Sequence, residues 1–312
     1  MNGVAHDEPV RRELPLPGGS ISYLEWGRTG ASAGAAKAPL HFAHANGFNG
    51  QTYARILSAL SDEFHIRAWD ARGHGMTTLP ADPARHRNWY VYRDDLIGLA
   101  ENFAETTGRK IILAGHSMGG AASVMAAAER PDLVRGLVLI DPVMTPASFR
   151  HLVRLYQLLG KTGGPMALAD GAEKRRAVFS DRETMVERYL GRGAFRTWPR
   201  DFIEDYVEGG TRIREDGQVE LSCEPVWEAA NFRAHGHNMA YAVRKLRVPL
   251  ALLYAAQGST CRRPFPMRLK RRDGQAHIMQ VPGSTHFLPM EFPDIVIGEI
   301  RRFKARLESE QR

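Results

Sequence analysis

The chain has 312 residues, 43% hydrophobic and 25% charged, with a formal net charge of +7: the composition of a globular protein with room for one large α/β domain or a domain carrying an insertion. No stretch approaches the roughly 18 apolar residues that span a bilayer, and the opening MNGVAHDEPVRREL has no apolar signal core, so a cytoplasmic protein without membrane insertion is expected. The two cysteines, Cys223 and Cys261, belong to no CxxC pair, which argues against a disulfide framework or a zinc site, and no cofactor or metal is expected.

RRELPLPGGSISYLEW reads as two antiparallel strands around Gly18-Gly19. After an Ala/Gly/Ser-rich loop at 29–38, APLHFAHANGF is an apolar strand ending in a turn. TYARILSALSDEF follows as helix, HIRAWD as strand, NWYVYRDDLIGLAENFAETTG as helix, KIILAGHS as strand, MGGAASVMAAAER as helix and VRGLVLIDPV as strand. This alternation predicts a parallel sheet covered by helices. It stops after Val143. From 144 to 244 the chain holds amphipathic helical stretches (ASFRHLVRLYQLLG, DRETMVERYL, PRDFIEDYVEGG), glycine-containing breaks and no convincing buried strand. The rhythm resumes with VPLALLYAA, AHIMQVPG and the closing helix DIVIGEIRRFKARLES. One core, residues 1–143 and 245–312, interrupted by a helical insertion at 144–244, is the simplest organisation.

Most basic residues alternate with acids, as in GAEKRRAVFSDRETMVERYLGR, the pattern of a solvated face. The run CRRPFPMRLKRR, residues 261–272, has six basic residues and no carboxylate. It reads as an exposed loop and helix surface, and no nucleic-acid partner is expected; strongly salt-dependent DNA retention would be the contrary sign.

The chemistry centres on Gly115-His116-Ser117-Met118-Gly119, set between the strand KIILA and the helix GAASVMAAA. Reversing a strand into a helix over so few residues strains the serine backbone, and side chains at either glycine would collide across the bend. The turn leaves the hydroxyl exposed at the helix N-terminus. A serine hydroxyl is a poor nucleophile at neutral pH, so it needs a histidine to take its proton and an acid to hold that histidine.

With GHSMG, the segments AHANGF, DARGHG and VPGSTHFLPMEFPD occur in the order found in the α/β-hydrolase family, which the chain resembles over almost its whole length. The resemblance implies an α/β fold with a mostly parallel central sheet flanked by helices and an inserted helical cap, and a serine esterase or lipase-like enzyme. It makes Ser117 the nucleophile and His286 the general base, and gives the DARGHG turn to architecture. Met118 N–H supplies one oxyanion donor. The other is Asn46 if His44-Ala45 matches the family's usual His-Gly, or Phe48 if Asn46-Gly47 does; the distance along the chain to Asp70 favours Asn46.

The acid is out of place. Most relatives carry it just after the strand matching VPLALLYAA, but here that loop reads AAQGSTC, and no Asp or Glu occurs between Glu228 and Asp273. Some relatives carry it one strand earlier, where GLVLIDPV ends in Asp141. That position lies at the C-terminal edge where open α/β sheets bind ligands. Asp273, in the polar RRDGQ turn, is the second choice.

A serine nucleophile implies an acyl-enzyme, hence a small-molecule carbonyl substrate. A small-to-medium carboxylic ester is the first expectation, with thioesters, lactones, amides and C–C bonds of ring-cleavage products as alternatives. Proteins of this fold also act as ligand receptors, and the empty usual acid position favours that alternative. His44, His116, Trp198 and Trp227 are expected to line the substrate pocket. The cap aromatics Tyr156, Phe195, Phe202 and Phe232 are further candidates, and Arg262 and Arg263 are placed to meet a substrate carboxylate.

Overall fold

The structure is a computed structural model that describes residues 8–28, 37–161 and 164–310. Residues 29–36 of the expected Ala/Gly/Ser-rich loop and the first seven of the opening stretch lie outside these. Strands β1 (Val10–Leu16) and β2 (Gly19–Trp26) form the expected hairpin. They are followed by β3 (Ala38–Ala43), α1 (Ala54–Ser58), β4 (Phe64–Trp69), α2 (Tyr90–Thr107), β5 (Ile111–His116), α3 (Met118–Glu129) and β6 (Val134–Ile140). The stretch 51–63 is less helical than its sequence suggests. A 3-10 turn, Gln51–Tyr53, precedes the short α1, and the N–H groups of Leu60, Ser61 and Glu63 then bond three residues back, tightening the chain into turns before β4.

The segment 144–244 contains α4 (Ala147–Leu158), α5 (Ala167–Glu173), β7 (Val178–Phe179), α6 (Arg182–Tyr189), α7 (Arg200–Gly209), β8 (Thr211–Ile213), β9 (Val219–Leu221), α8 (Pro225–Arg233) and α9 (Met239–Lys245). Here the expectation of no convincing buried strand is corrected: β7, β9 and β8 form a small antiparallel sheet in which Phe179, Val219 and Leu221 are buried. Strands of two or three residues are too short to show alternation, but Asp216-Gly217 between TRI and VEL is a hairpin signal, with Gly217 at φ +81°. Position 244 falls inside α9, whose buried Met239, Ala242 and Val243 join the same apolar cluster as α3. The chain closes with β10 (Leu250–Ala255), α10 (Phe265–Arg272), β11 (His277–Val281), α11 (Leu288–Glu291) and α12 (Pro293–Ser309).

The main sheet has the order β1-β2-β4-β3-β5-β6-β10-β11, antiparallel at its first two pairings and parallel thereafter. Period-2 alternation sends Ile111, Leu113, Leu137 and Leu139 into the apolar layer with α2 and α3. Ile112, Ala114, Val138 and Ile140 enter the opposite layer with α1 and α12. The order reverses between β3 and β5, which opens a crevice at their carboxyl ends. The loop after β3 and the turn after β5 meet there.

Candidate active site

Ser117 links β5 to α3 at φ 55°, ψ −115°, a conformation rare for a residue with a side chain. Its N–H donates to Ile140 O and its carbonyl accepts from Val143 N–H, each at 3.1 Å, so the end of β6 holds the bend. A Cβ on Gly119 would lie 2.1 Å from Ala43 O, and one on Gly115 would lie 2.6 Å from the Gly119 carbonyl carbon. Only glycines let the helix approach β3 this closely.

Asp141 also has a positive φ, 38°, and its side chain is buried. Oδ1 accepts from Ala255 N–H at 3.0 Å and from the Ser259 hydroxyl at 2.5 Å; Oδ2 accepts from Thr260 N–H at 3.1 Å and from His286 Nδ1 at 2.5 Å. Burial alone would raise its pKa. The His286 bond and charge, with the donors from Ser259 and Ala255, outweigh that and hold the carboxyl below its ordinary range. His286 Nε2 stands 2.9 Å from Ser117 Oγ. With Nδ1–H given to the carboxylate, Nε2 is the ring nitrogen left to accept the serine proton. The loop carrying His286 is pinned by Glu291, which accepts from Thr285 N–H and hydroxyl at 2.7 and 2.6 Å.

Hydrogen-bond accounting separates the two oxyanion candidates in the loop after β3. Ala45 N–H donates to Tyr53 Oη (3.3 Å), Gly47 N–H to His74 Nε2 (3.0 Å) and Phe48 N–H to Ala45 O (3.1 Å). Among the described residues Asn46 N–H meets no protein acceptor, and neither does Met118 N–H at the start of α3. Phe48 N–H is committed to its turn, so Asn46 is the donor left for a ligand.

Two expected pocket residues are structural. His44 is buried, with Nδ1–H donating to Ala45 O at 2.7 Å and Nε2 accepting from Ala71 N–H at 2.9 Å. His116 is buried too, and both ring nitrogens are engaged, with Tyr53 Oη at 2.7 Å and His286 O at 2.8 Å. A histidine beside the nucleophile looks like a ligand contact in the sequence, where the partners of its ring nitrogens are invisible. Trp227 is likewise displaced from the expected role: Nε1–H donates to Arg72 O at 3.0 Å, and the ring packs on His86 with centroids 4.6 Å apart. Trp198 does approach the site, with ring centroids 5.2 Å from Phe48 and 5.7 Å from Phe287, the neighbour of His286. Phe195 and Tyr206 pack behind it.

The other candidates are placed elsewhere. Tyr156 and Phe232 pack around Val153 and Ala169, away from Ser117, and Phe202 is in the apolar layer with Trp198. Arg262 and Arg263 line a separate cavity of about 680 Å³ with Tyr254, Lys270 and Gln280, and neither Ser117 nor His286 borders it. Asp273 is no free acid in an exposed turn. It accepts from Leu250 N–H at 3.0 Å and pairs with Arg306 at 3.1 Å. Sequence reasoning missed Tyr53, Ser259, Thr260 and Glu291, because no spacing rule marks a polar side chain by the partner it meets in the fold. Among the described residues, no helix is long and apolar enough to cross a membrane.

The chain is 28% identical over 262 residues to the 2-(acetamidomethylene)succinate hydrolase of Mesorhizobium japonicum, covering 84% of this chain and 86% of that one. It is 25% identical over 293 residues to the human (lyso)-N-acylphosphatidylethanolamine lipase, covering 85% and 79%. The crystal structure of an E-2-(acetamidomethylene)succinate hydrolase superposes with a TM-score of 0.73 at 23% identity, over 95% of this chain and 99% of that one, which speaks for the fold alone. The sequence model of the alpha/beta hydrolase family matches residues 42–299, from within β3 to within α12. That span takes in the loop after β3, the Ser117 bend, Asp141 and His286, and the chain belongs to the alpha/beta hydrolase family.

Proposed function

We propose that this hydrolase cleaves a small-to-medium carboxylic ester through an acyl-enzyme on Ser117. The observation that carries the reading is the continuous line from Asp141 Oδ2 through His286 to Ser117 Oγ, at 2.5 and 2.9 Å. His286 takes the serine proton as Oγ attacks the carbonyl carbon, and Asp141 stabilises the imidazolium that forms. The N–H groups of Met118 and Asn46 receive the developing oxyanion. His286 then protonates the departing alcohol, and a water activated by the same imidazole releases the acid. Segment 144–244 serves as the cap, and Trp198, Phe48 and Phe287 form an apolar wall beside the reacting carbon. The 2-(acetamidomethylene)succinate named for one relative contains an N-acyl group, so an amide is the second reading for the same acyl-enzyme chemistry.

A fluorophosphonate probe tests the nucleophile. The wild-type protein labels at one residue, and Ser117→Ala abolishes both labelling and ester hydrolysis, with a rate loss on the order of 10⁴-fold or more while the fold persists. Retained hydrolysis in a clean Ser117→Ala preparation would end the proposal. A panel of p-nitrophenyl esters and matched anilides then decides between the two substrate classes.

A further inference from the structure

We infer that Tyr53 and His116 are positioning residues that lock the oxyanion loop to the loop carrying the general base, through a one-way chain of buried hydrogen bonds. The inference rests on the acyl-enzyme reading above. The chain runs from Ala45 N–H to Tyr53 Oη (3.3 Å), from the Tyr53 hydroxyl to His116 Nδ1 (2.7 Å) and from His116 Nε2–H to the backbone carbonyl of His286 (2.8 Å). Both linking side chains are fully buried.

Its direction is fixed at both ends. A backbone N–H only donates and a carbonyl only accepts, so His286 O requires the proton on Nε2 of His116. Nδ1 of a neutral ring must then accept, which obliges the Tyr53 hydroxyl to donate to it and to receive Ala45 N–H on its oxygen. One tautomer satisfies every group. Protonating His116 would set an Nδ1–H against the hydroxyl and strand the tyrosine proton. Burial, with the neighbouring His286 second, keeps the His116 pKa well below its ordinary value and so keeps the ring neutral.

The chain joins parts that the sheet cannot join. Ala45 follows β3 and His286 follows β11, and β5, β6 and β10 lie between those strands, so no ladder sets the height of one loop against the other. His116, the last residue of β5 and the neighbour of Ser117, bonds His286 O directly and meets Ala45 N–H through Tyr53. At one end the chain fixes Ala45 N–H, one peptide before the N–H of Asn46. At the other it fixes the backbone of the residue whose imidazole takes the serine proton. Removing the Tyr53 hydroxyl would leave Ala45 N–H and His116 Nδ1 without partners in a buried site and free the imidazole to turn away from His286 O.

Tyr53→Phe is the test, since the phenyl ring keeps its packing on Phe42 and Phe48, at centroid distances of 4.5 and 6.5 Å. After active-site titration, kcat should fall about 10- to 100-fold with KM within about twofold of wild type. A trifluoromethyl ketone, which forms a hemiketal oxyanion on Ser117, should lose affinity in step with kcat/KM. His116→Gln, whose amide can still donate to His286 O, should retain more kcat than His116→Leu. Wild-type kcat and ketone affinity in Tyr53→Phe would overturn the inference, as would a rate loss that vanishes once the folded fraction is counted. If instead Ser117→Ala leaves hydrolysis intact, the acyl-enzyme reading itself has failed.

Discussion

The hydroxyl of Ser259 donates to Oδ1 of Asp141 at 2.5 Å. The loop after β10, where most proteins that this chain resembles carry their acid, here carries donors to a carboxylate supplied by the neighbouring strand. Thr260, through its N–H and hydroxyl, and Ala255 N–H at the end of β10 add to it, so this strand end and its loop solvate the charge they do not themselves provide. The empty position was the feature favouring a ligand receptor. An acid reaching His286 from β6 removes that motive.

This arrangement predicts a graded response. Asp141→Asn should lower kcat roughly 10²–10⁴-fold, because an amide facing His286 Nδ1 favours the wrong tautomer. Ser259→Ala should cost only several-fold, because Ala255 N–H, Thr260 and His286 still donate to Asp141, but it should raise the Asp141 pKa. Asp273→Asn should lower thermal stability through lost contacts with Leu250 N–H and Arg306 while leaving kcat per folded molecule unchanged. Steady-state rates on one soluble ester, normalised by active-site titration, measure all three. Full activity in Asp141→Asn would refute the assignment.

A second prediction concerns acid. His41, His44 and His74 are buried, and desolvation pushes their pKa values down to about 3, 4 and 3; His116 is depressed for the same first reason. In the unfolded chain each returns to roughly 6.5. Between the folded and unfolded values the unfolded state binds more protons, so the stability these groups contribute is complete above about pH 6.5 and drains as pH falls towards 4. Denaturant titrations at pH 7.5, 6.0 and 5.0 should show falling stability, these four rings contributing up to about four protons taken up on unfolding. A flat profile would mean that these rings are already charged or solvated in the fold.

Much of the scaffold was legible because its signals are local. The run IILAGHSMGG states a buried strand, a strained bend and a helix within ten residues, and Asp141 directly ends an apolar strand. Chain order then paired Ser117, Asp141 and His286 with a known family pattern. What stayed hidden depends on contacts between distant segments. The hairpin at Asp216-Gly217 joins strands of three residues, too short for a period to register. The roles of His44 and His116 are set by Ala71 N–H, Ala45 O, Tyr53 and His286 O, partners that no spacing reveals. Chain distance favoured Asn46 over Phe48, but that Phe48 N–H is already given to Ala45 O could not be read from spacing.

The two tryptophans, expected to line one pocket, should now behave differently. Trp198 contacts Phe48 in the loop after β3 and Phe287 beside His286, while Trp227 ties α8 to the turn after β4 through Arg72 O and to His86 ahead of α2. Gly73 confirms how tight that second junction is, since a Cβ there would lie 2.2 Å from Trp227 Nε1. Trp198→Ala should therefore change the ranking of acyl chains from acetate to octanoate more than it changes the rate on the acetate ester, because the space it vacates adjoins Phe48 and Phe287. Trp227→Ala should leave the ranking in place and lower the melting temperature, with a cost of about 3–5 kcal/mol for a buried aromatic truncated to alanine. Parallel kcat/KM series on p-nitrophenyl esters and thermal melts of both variants decide it. An unchanged ranking in Trp198→Ala, or a reordered one in Trp227→Ala, would place the acyl pocket on the other side of the Ser117 crevice.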